Sequence, residues 1–227
     1  MRRLSILAVL LLVFLGLAGC VQNVPNDIAA QSLVDQSKAV VALFKARTET
    51  PNQLFRAQLD EAQGLLIFPQ VVKGAFIFGA EGGDGVMVTR DADGVWGYPA
   101  FYTLGGGSLG LQVGGQSSQM ILVLRTQRAV EAIVSNQGKF GADLQLTFGT
   151  LGAGMEAATT TNLGADVVGF ANAAGIFGGV SLEGAGIVRR VDFNQAYYGP
   201  DATASGIVIE HRFTNPEADP LRQAIMG

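Results

Sequence analysis

Several groups of residues in this sequence have types and spacings that could do chemistry. Gly105-Gly106-Gly107-Ser108-Leu109-Gly110 matches G-x-G-x-x-G. That loop seats a dinucleotide when a strand precedes it, a helix follows, and an acidic residue lies about twenty positions on. Here Leu109 to Val113 alternates like a strand, so the run reads as strand glycine rather than a nucleotide loop. Glu81, Asp84, Asp91 and Asp93 could offer oxygen ligands to a hard cation. They could equally form turns and solvated edges, because Asp before Gly is a turn signal, and no Glu closes an EF-hand loop after Gly94. His211 is the single histidine. It could act as a base, or be exposed or locally hydrogen-bonded; no Gly-x-Ser-x-Gly elbow accompanies it. No pair of carboxylates is singled out for glycoside chemistry. Lys38, Lys45, Arg47 and Arg56 gather in the N-terminal region. They could meet lipid headgroups, each worth ~1 kcal/mol at an anionic surface. Asp35, Glu49, Asp60 and Glu61 are interleaved with them, which also describes an ordinary mixed-charge surface.

The single cysteine, Cys20, has a more specific setting. Arg2 and Arg3 form a positive start, Leu4 to Leu17 is an apolar run of 14 residues, and Leu17-Ala18-Gly19-Cys20 follows. This is the layout of a secretory leader, and the Leu-Ala-Gly-Cys order resembles the bacterial lipobox, whose Cys is acylated and becomes the new N-terminus. The apolar run is short for a bilayer span, which needs ~20 residues. Residues 1–19 are therefore read as a lipoprotein signal peptide, and residues 20–27 as a tether carrying Pro25. More than one acyl chain on Cys20 would anchor stably, where a single chain would be marginal. The non-Asp residue Val21 after the cysteine fits sorting to an outer membrane, so the expected location is the bacterial envelope, on the periplasmic side.

Composition narrows the classes further. The chain has 227 residues, 48% apolar and only 15% charged, with a mean hydropathy of +0.32, which excludes a disordered tail. Its 31 glycines show no three-residue period and are accompanied by only 7 prolines, so collagen is excluded. One Cys excludes a disulfide framework and a Cys-based zinc site. A formal charge of −4 argues against a nucleic-acid partner. No cofactor or metal is expected.

The elements that must position these residues follow from periodicity. A helix is predicted over about 28–46, with Leu33, Val40 and Phe44 on one face and Lys38 and Lys45 on the solvated side. A second is predicted from Thr50, with Pro51 in its first turn and Gln53 completing a capping box. Phe55, Leu59 and Ala62 form its inner face and Gly64 its end. Beyond Gly64 come strand-like runs at 65–68, 75–78, 85–90, 94–98, 108–116 and 120–124, with turns expected at Gly82-Gly83-Asp84-Gly85 and Asp91-Ala92-Asp93-Gly94. One amphipathic helix at 127–135, with Val130, Ile133 and Val134 inward, interrupts them. Strands resume at 143–148, 154–158, 166–171, 174–182 and 186–191, and weak helical signals close the chain at 203–209 and 218–226. The expected fold is α+β, in one domain over 28–227. A curved, largely antiparallel sheet, sandwich- or barrel-like, would carry the N-terminal helices and one inserted helix.

The stretch from Gly64 to Val88 resembles the signature of the SYLF domain family. The matching residues are Phe68, Pro69, Val71, Val72, Lys73, Gly74, Phe76, Gly79, Glu81, Gly82 and Gly85. Further matches follow at Ser108 to Gln116, Thr159-Thr160-Thr161, and Phe177 to Gly184. The resemblance implies a non-catalytic lipid-binding module. The eukaryotic members it resembles bind phosphoinositides and associate with actin through basic and amphipathic N-terminal elements. Here the N-terminal region is charge-mixed and the address is the envelope, which argues against actin and leaves membrane phospholipid as the expected partner. Lys73, the one basic residue inside the signature, is the leading headgroup candidate, with an exposed turn residue as the bland alternative. A protein-interaction scaffold is the second functional class and an enzyme the third.

Overall fold

The computed structural model describes residues 24–46, 50–75, 78–109, 114–135, 148–150, 165–173, 176–178 and 185–227. Cys20 and Arg47, the expected strand at 154–158, and the matching segments 159–161 and 181–184 lie outside them.

Helix α1 spans Asn26–Ala46 and helix α2 spans Thr50–Glu61. The apolar stripe expected of α1 is its buried side, carried by Ala30, Leu33, Val34, Val40, Val41 and Phe44. Ser37 interrupts that stripe but is satisfied, since its hydroxyl donates to the Leu33 carbonyl at 2.7 Å. In α2, Phe55 and Leu59 point inward as expected, and Ala62 beyond its end is buried with them. Phe55 stands edge-on between Phe44, at 5.6 Å, and Phe170 of the sheet, at 5.4 Å, which ties both helices to the layer below.

That layer is one sheet. Strands β1 (Gly64–Ala75), β2 (Phe78–Thr89), β3 (Ala100–Leu109) and β4 (Gly114–Leu124) are long. Strands β5 (Phe148–Thr150), β6 (Val167–Ala173), β7 (Ile176–Gly178) and β8 (Ala185–Arg189) are short. The order is β5-β6-β4-β1-β2-β3-β8, with β7 added on β6. All pairs are antiparallel except β5 with β6. The α+β fold with a largely antiparallel sheet is as expected. The sheet is open, and among the described residues β5 and β8 form the ends of its main path.

Helices cover both faces, which explains the unbroken apolar runs Leu65-Leu66-Ile67-Phe68 and Ile121-Leu122-Val123-Leu124. Leu65, Ile67, Ile121 and Val123 face α1 and α2. Leu66, Phe68, Leu122 and Leu124 face helix α3 (Gln127–Ser135) and helix α5 (Ala204–Val208). Helix α3 has the bounds expected of it, with Val130, Ile133 and Val134 inside. The Thr126 hydroxyl caps its start by accepting from the Ala129 N–H at 3.1 Å.

Helix α4 (Val191–Tyr198) was not expected. Its aromatic, β-branched-led sequence has low helix propensity and no side-chain N-cap. Tertiary contacts hold it instead. The buried Asn194 amide accepts from the Phe101 N–H at 3.0 Å and donates to the Arg190 carbonyl at 2.9 Å. Tyr197 packs edge-on against Phe101 at 5.2 Å. A short 3-10 turn (Pro216–Ala218) leads into the last helix, α6 (Asp219–Met226), which packs on α1. Gln31 donates to the Glu217 carbonyl at 3.3 Å, and the Lys45 ammonium donates to the carbonyls of Ala224 and Ile225 at 3.1 Å each. The two ends of the described chain are thereby clasped together.

Two turn expectations part company. Asp91 to Gly94 is a turn: the Asp91 carboxylate accepts from the Asp93 and Val95 N–H groups at 3.0 and 2.8 Å, and Gly94 takes a φ of +78°. Gly82 to Gly85, by contrast, lies inside β2, not at a hairpin tip. Its glycines answer to β1, which bulges at Pro69 where the register shifts against β4 between Phe68 and Val71. Proline has no N–H for the ladder. A Cβ on Gly83 would sit 2.1 Å from the Gln70 carbonyl oxygen, and one on Gly85 would sit 2.4 Å from the Ile67 carbonyl oxygen. Glycine is required there by close backbone approach. The residues expected as a strand at 94–98 make only a single bridge, Arg90 with Trp96. Of the expected strand at 108–116, residues 108–109 end β3 and residues 114–116 begin β4, two strands that β1 and β2 separate in the sheet.

Candidate functional site

Past the bulge, β1 and β2 run beyond the core and α1 begins beside them. The space between is a groove of about 490 Å³ lined by Val24, Ile28, Leu33, Val72, Gly82 and Gly83, with Phe193 of α4 also on its wall. Three of its apolar side chains are largely open to solvent: Val24 is 55% exposed, Ile28 58% and Val72 51%. Scattered apolar exposure needs no explanation, but grouping along one groove does. Gly82 and Gly83 add no side chain to its lining.

Asp84 and Phe193 bring a charged cluster to the groove. Arg190 Nη1 donates to Asp84 at 2.8 Å, and its Nε and Nη2 hold Asp192 at 2.9 and 2.8 Å. The guanidinium lies 3.6 Å from the centre of the Phe193 ring, and the Thr103 hydroxyl also donates to Asp84. The Arg190 hydrogen bonds pull the Asp192 carboxyl below its ordinary pKa, and the same pairs hold Arg190 more firmly protonated.

Two further hollows adjoin the groove. Across Ile28 and Ser32 lies an acidic one of about 470 Å³, lined by Asp27, Asp35, Glu217 and Tyr197. Across Gln36, Pro69 and Gln70 lies a polar one of about 310 Å³ with Ser117, Ser118, Gln119 and Asn172. Among the described residues lining the three hollows, none is Lys, Arg or His.

The sequence-derived basic residues are not gathered here. Lys73 lies in β1, not in a turn, and its ammonium pairs with Glu81 directly across on β2. Val72 faces the groove, so strand alternation sends Lys73 to the other side of the sheet. Lys38 is exposed along α1. Lys45 is half-buried rather than on the solvated side, because α6 presents its last carbonyls there; desolvation lowers its pKa. Arg56 Nη1 donates to the Lys45 carbonyl at 2.6 Å and closes the end of α1. Lys45 stands seventeen positions after Ile28, about 25 Å along a helix.

The acidic set is likewise dispersed. Glu81 pairs with Lys73, Asp84 with Arg190, and Asp91 closes its turn. Among the described residues no group of His, Cys, Asp and Glu is placed to hold a metal ion. Gly105 to Leu109 is strand, paired to β2 and in part to β8, as the alternation implied. A Cβ on Gly106 would meet the Ala185 Cα at 3.1 Å. His211 takes a φ of +49°, and its ring packs where a Gly97 Cβ would come within 2.4 Å of Nδ1. The groove itself was missed; its available signal was the apolar spacing Val24, Ile28 followed by Val72 beside a proline.

A comparison of the sequence with known families decides its kinship. The profile of the family described as "Ysc84: Las17-binding protein actin regulator" matches residues 105–227. The chain belongs to the Ysc84 family. This agrees with the SYLF resemblance carried by residues 64–88. Among relatives of this Ysc84-family chain, LAS seventeen-binding protein 3 of Saccharomyces cerevisiae is 32% identical over 207 residues, covering 86% of this chain and 44% of its own. Protein YSC84 of the same yeast is 31% identical over 207 residues. The human SH3 domain-containing YSC84-like protein 1 is 30% identical over 190 residues, covering 81% of this chain and 55% of its own. The chain thus spans about half the length of the curated relatives it matches. The family's description is of a binding protein and regulator, not of an enzyme.

Proposed function

We propose that this Ysc84-family domain is the lipid-binding part of an acylated envelope lipoprotein, held through Cys20 and placed on the periplasmic side of an outer membrane. The observation that carries the reading is the groove with its exposed Val24, Ile28 and Val72. It opens four residues after the lipobox cysteine. Four residues reach at most ~14 Å when fully extended, so acyl chains on Cys20 would hold this face close to the bilayer. Among the described residues no helix is long and apolar enough to cross a membrane, and the reading requires none. Lys73 is engaged by Glu81 and lies on the far side, so the contact moves from Lys73 and the basic residues to the groove.

Incorporation of labelled palmitate into the full chain, and its loss in Cys20→Ser, tests the anchor. Co-sedimentation of the Cys20→Ser chain with phosphatidylcholine vesicles tests the domain. Val72→Asp removes a side chain worth ~1.5 kcal/mol or more on burial and is expected to weaken binding about tenfold. Equal binding by Val72→Asp and its parent would overturn the groove reading. A second reading, an envelope scaffold for a protein partner, is favoured by the Las17 binding named in the family description. It gains if no vesicle binds.

A further inference from the structure

The polar hollow next to the groove is built from amides, hydroxyls and a proline. Gln36, Gln70, Gln119 and Asn172 contribute side-chain amides, and Ser117 and Ser118 contribute hydroxyls, with Pro69 between them. None of these residues carries a charge. They come from α1 and three neighbouring strands, β1, β4 and β6, so the hollow is built by the fold rather than by one loop. Asn172 is only 8% exposed. Its amide nitrogen donates to Gln119 Oε1 at 2.8 Å, while its Oδ1 is buried with no hydrogen-bond partner among the described residues. A buried acceptor left unmade is costly, and this one belongs to a residue lining the hollow.

Each amide offers two donors and an acceptor, and each serine hydroxyl gives and takes. Such a surface matches a group whose own atoms both donate and accept, as the hydroxyls of a sugar or other polyol do. A phosphate only accepts, and it selects cationic partners. None lines the hollow, and Asp27, Asp35 and Glu217 stand on the far side of the groove. The apolar groove and the amide hollow share Gln36, Pro69 and Gln70, so one elongated molecule can occupy both.

Resting on the lipid-binding reading above, we infer that the site selects a glycolipid with an uncharged, hydroxyl-rich head. Its acyl part lies along Val24, Ile28 and Val72, and its sugar lies on the shelf of Gln36, Gln70, Gln119 and Asn172. The Asn172 Oδ1 accepts from a sugar hydroxyl.

The test uses the full Cys20→Ser chain and three vesicle types. One is phosphatidylcholine alone, one contains a fifth diglucosyl-diacylglycerol, and one contains a fifth phosphatidylglycerol. The leader's apolar run is common to every arm, and its Arg2 and Arg3, each worth ~1 kcal/mol at an anionic surface, are replaced by Gln in every chain tested so that the phosphatidylglycerol arm reports on the domain. Glycolipid vesicles are expected to bind about tenfold better than phosphatidylcholine (~1.4 kcal/mol), with no gain from phosphatidylglycerol. The exposed pair Gln36→Leu and Gln70→Leu, and separately Asn172→Ala, are expected to bring that ratio close to one while Val72→Asp still weakens binding to every vesicle. Retained thermal unfolding of the doubly substituted chain shows that the fold survives. A glycolipid ratio near one in the parent, with Val72 dependence intact, overturns the sugar selection and leaves the lipid-binding reading standing. Preference for phosphatidylglycerol also overturns it. Loss of Val72 dependence overturns both.

Discussion

Gly83→Ala should be among the most damaging single-methyl additions to this protein, and it can be judged against a built-in control. The added Cβ would lie 2.1 Å from the Gln70 carbonyl oxygen and 3.2 Å from the Val71 Cα. Real contacts of this kind stay beyond 3.0 Å, so β2 must retreat from the bulge by about 0.9 Å (3.0 minus 2.1). Both obstacles are backbone, so no side chain can swing aside. Overpacking of this sort costs typically ~1–3 kcal/mol, and stretching one or two neighbouring ladder hydrogen bonds adds about 1 kcal/mol. For about 3 kcal/mol in a domain of this size, the midpoint of thermal unfolding should fall by roughly 6–12 °C. Gly105→Ala is the control. A Cβ there meets nothing within 4 Å, and trading glycine for alanine in an unstrained position is neutral or stabilising by up to ~1 kcal/mol. Circular dichroism melts and urea titrations of the two variants decide the matter. A Gly83→Ala midpoint within one or two degrees of the parent, or equal losses in both variants, would refute the claim that the bulge dictates glycine in β2.

Other perturbations give different signatures. Lys73→Glu should leave phosphatidylcholine binding unchanged, because the residue lies across the sheet from the groove; a drop as large as that of Val72→Asp would return the headgroup contact to Lys73. Lys45→Met should lower stability by ~1–2 kcal/mol in urea titration, by uncapping the last carbonyls of α6, with vesicle binding retained; an unchanged urea midpoint would show that the capping bonds add nothing. Arg190→Lys should behave nearly as badly as Arg190→Ala, since an ammonium cannot span Asp84 and Asp192 while stacking on Phe193; full rescue by lysine in a thermal melt would reduce the cluster to simple charge. The Asp192 carboxyl is held below its ordinary pKa in the fold. The stability it contributes is therefore fully present above the unfolded value near ~3.9 and drains away as pH falls through the lower folded value. Urea midpoints measured downward from pH 5 should fall less steeply in Asp192→Asn than in the parent, and parallel slopes would count against the pairing.

The helices were legible where local periodicity and tertiary burial agree. Leu33, Val40 and Phe44 recur at helical spacing and are buried, and α3 ends where its apolar stripe ends. Helix α4 was invisible because Val191, Phe193, Tyr197 and Tyr198 favour strands locally; Asn194 and Arg190 hold it through partners 93 and 106 positions away in sequence. The glycines at 82, 83 and 85 misled because a turn and a close strand crossing demand the same residue. Only the bulge at Pro69 distinguishes them, and it is a property of two paired strands. The candidate groove was not read from the sequence. Val24 precedes α1 and Ile28 lies in its first turn, but Val72 and the shelf of Gln70, Gln119 and Asn172 meet them only through sheet register. Charge alone did not place these residues either: Lys45, Arg56 and Lys73 stand out in the sequence as cations, and in the fold they meet carbonyls and a carboxylate of the same chain.

The clasp between α1 and α6 sets an order of events during biosynthesis. Gln31 finds its carbonyl partner 186 positions later, and Lys45 finds its own 179 and 180 positions later. The first of the described helices is therefore completed late, and Phe44 and Val40 have no finished shelter until α6 has left the ribosome. A nascent chain stalled or truncated before Leu221 and Ile225 keeps an adhesive apolar strip at its leading end, which is what a holding chaperone or an export channel can grip. The same arrangement makes α6 a quality seal: a chain cut just before Asp219 should be cleared by proteases rather than accumulate as a shorter but working form.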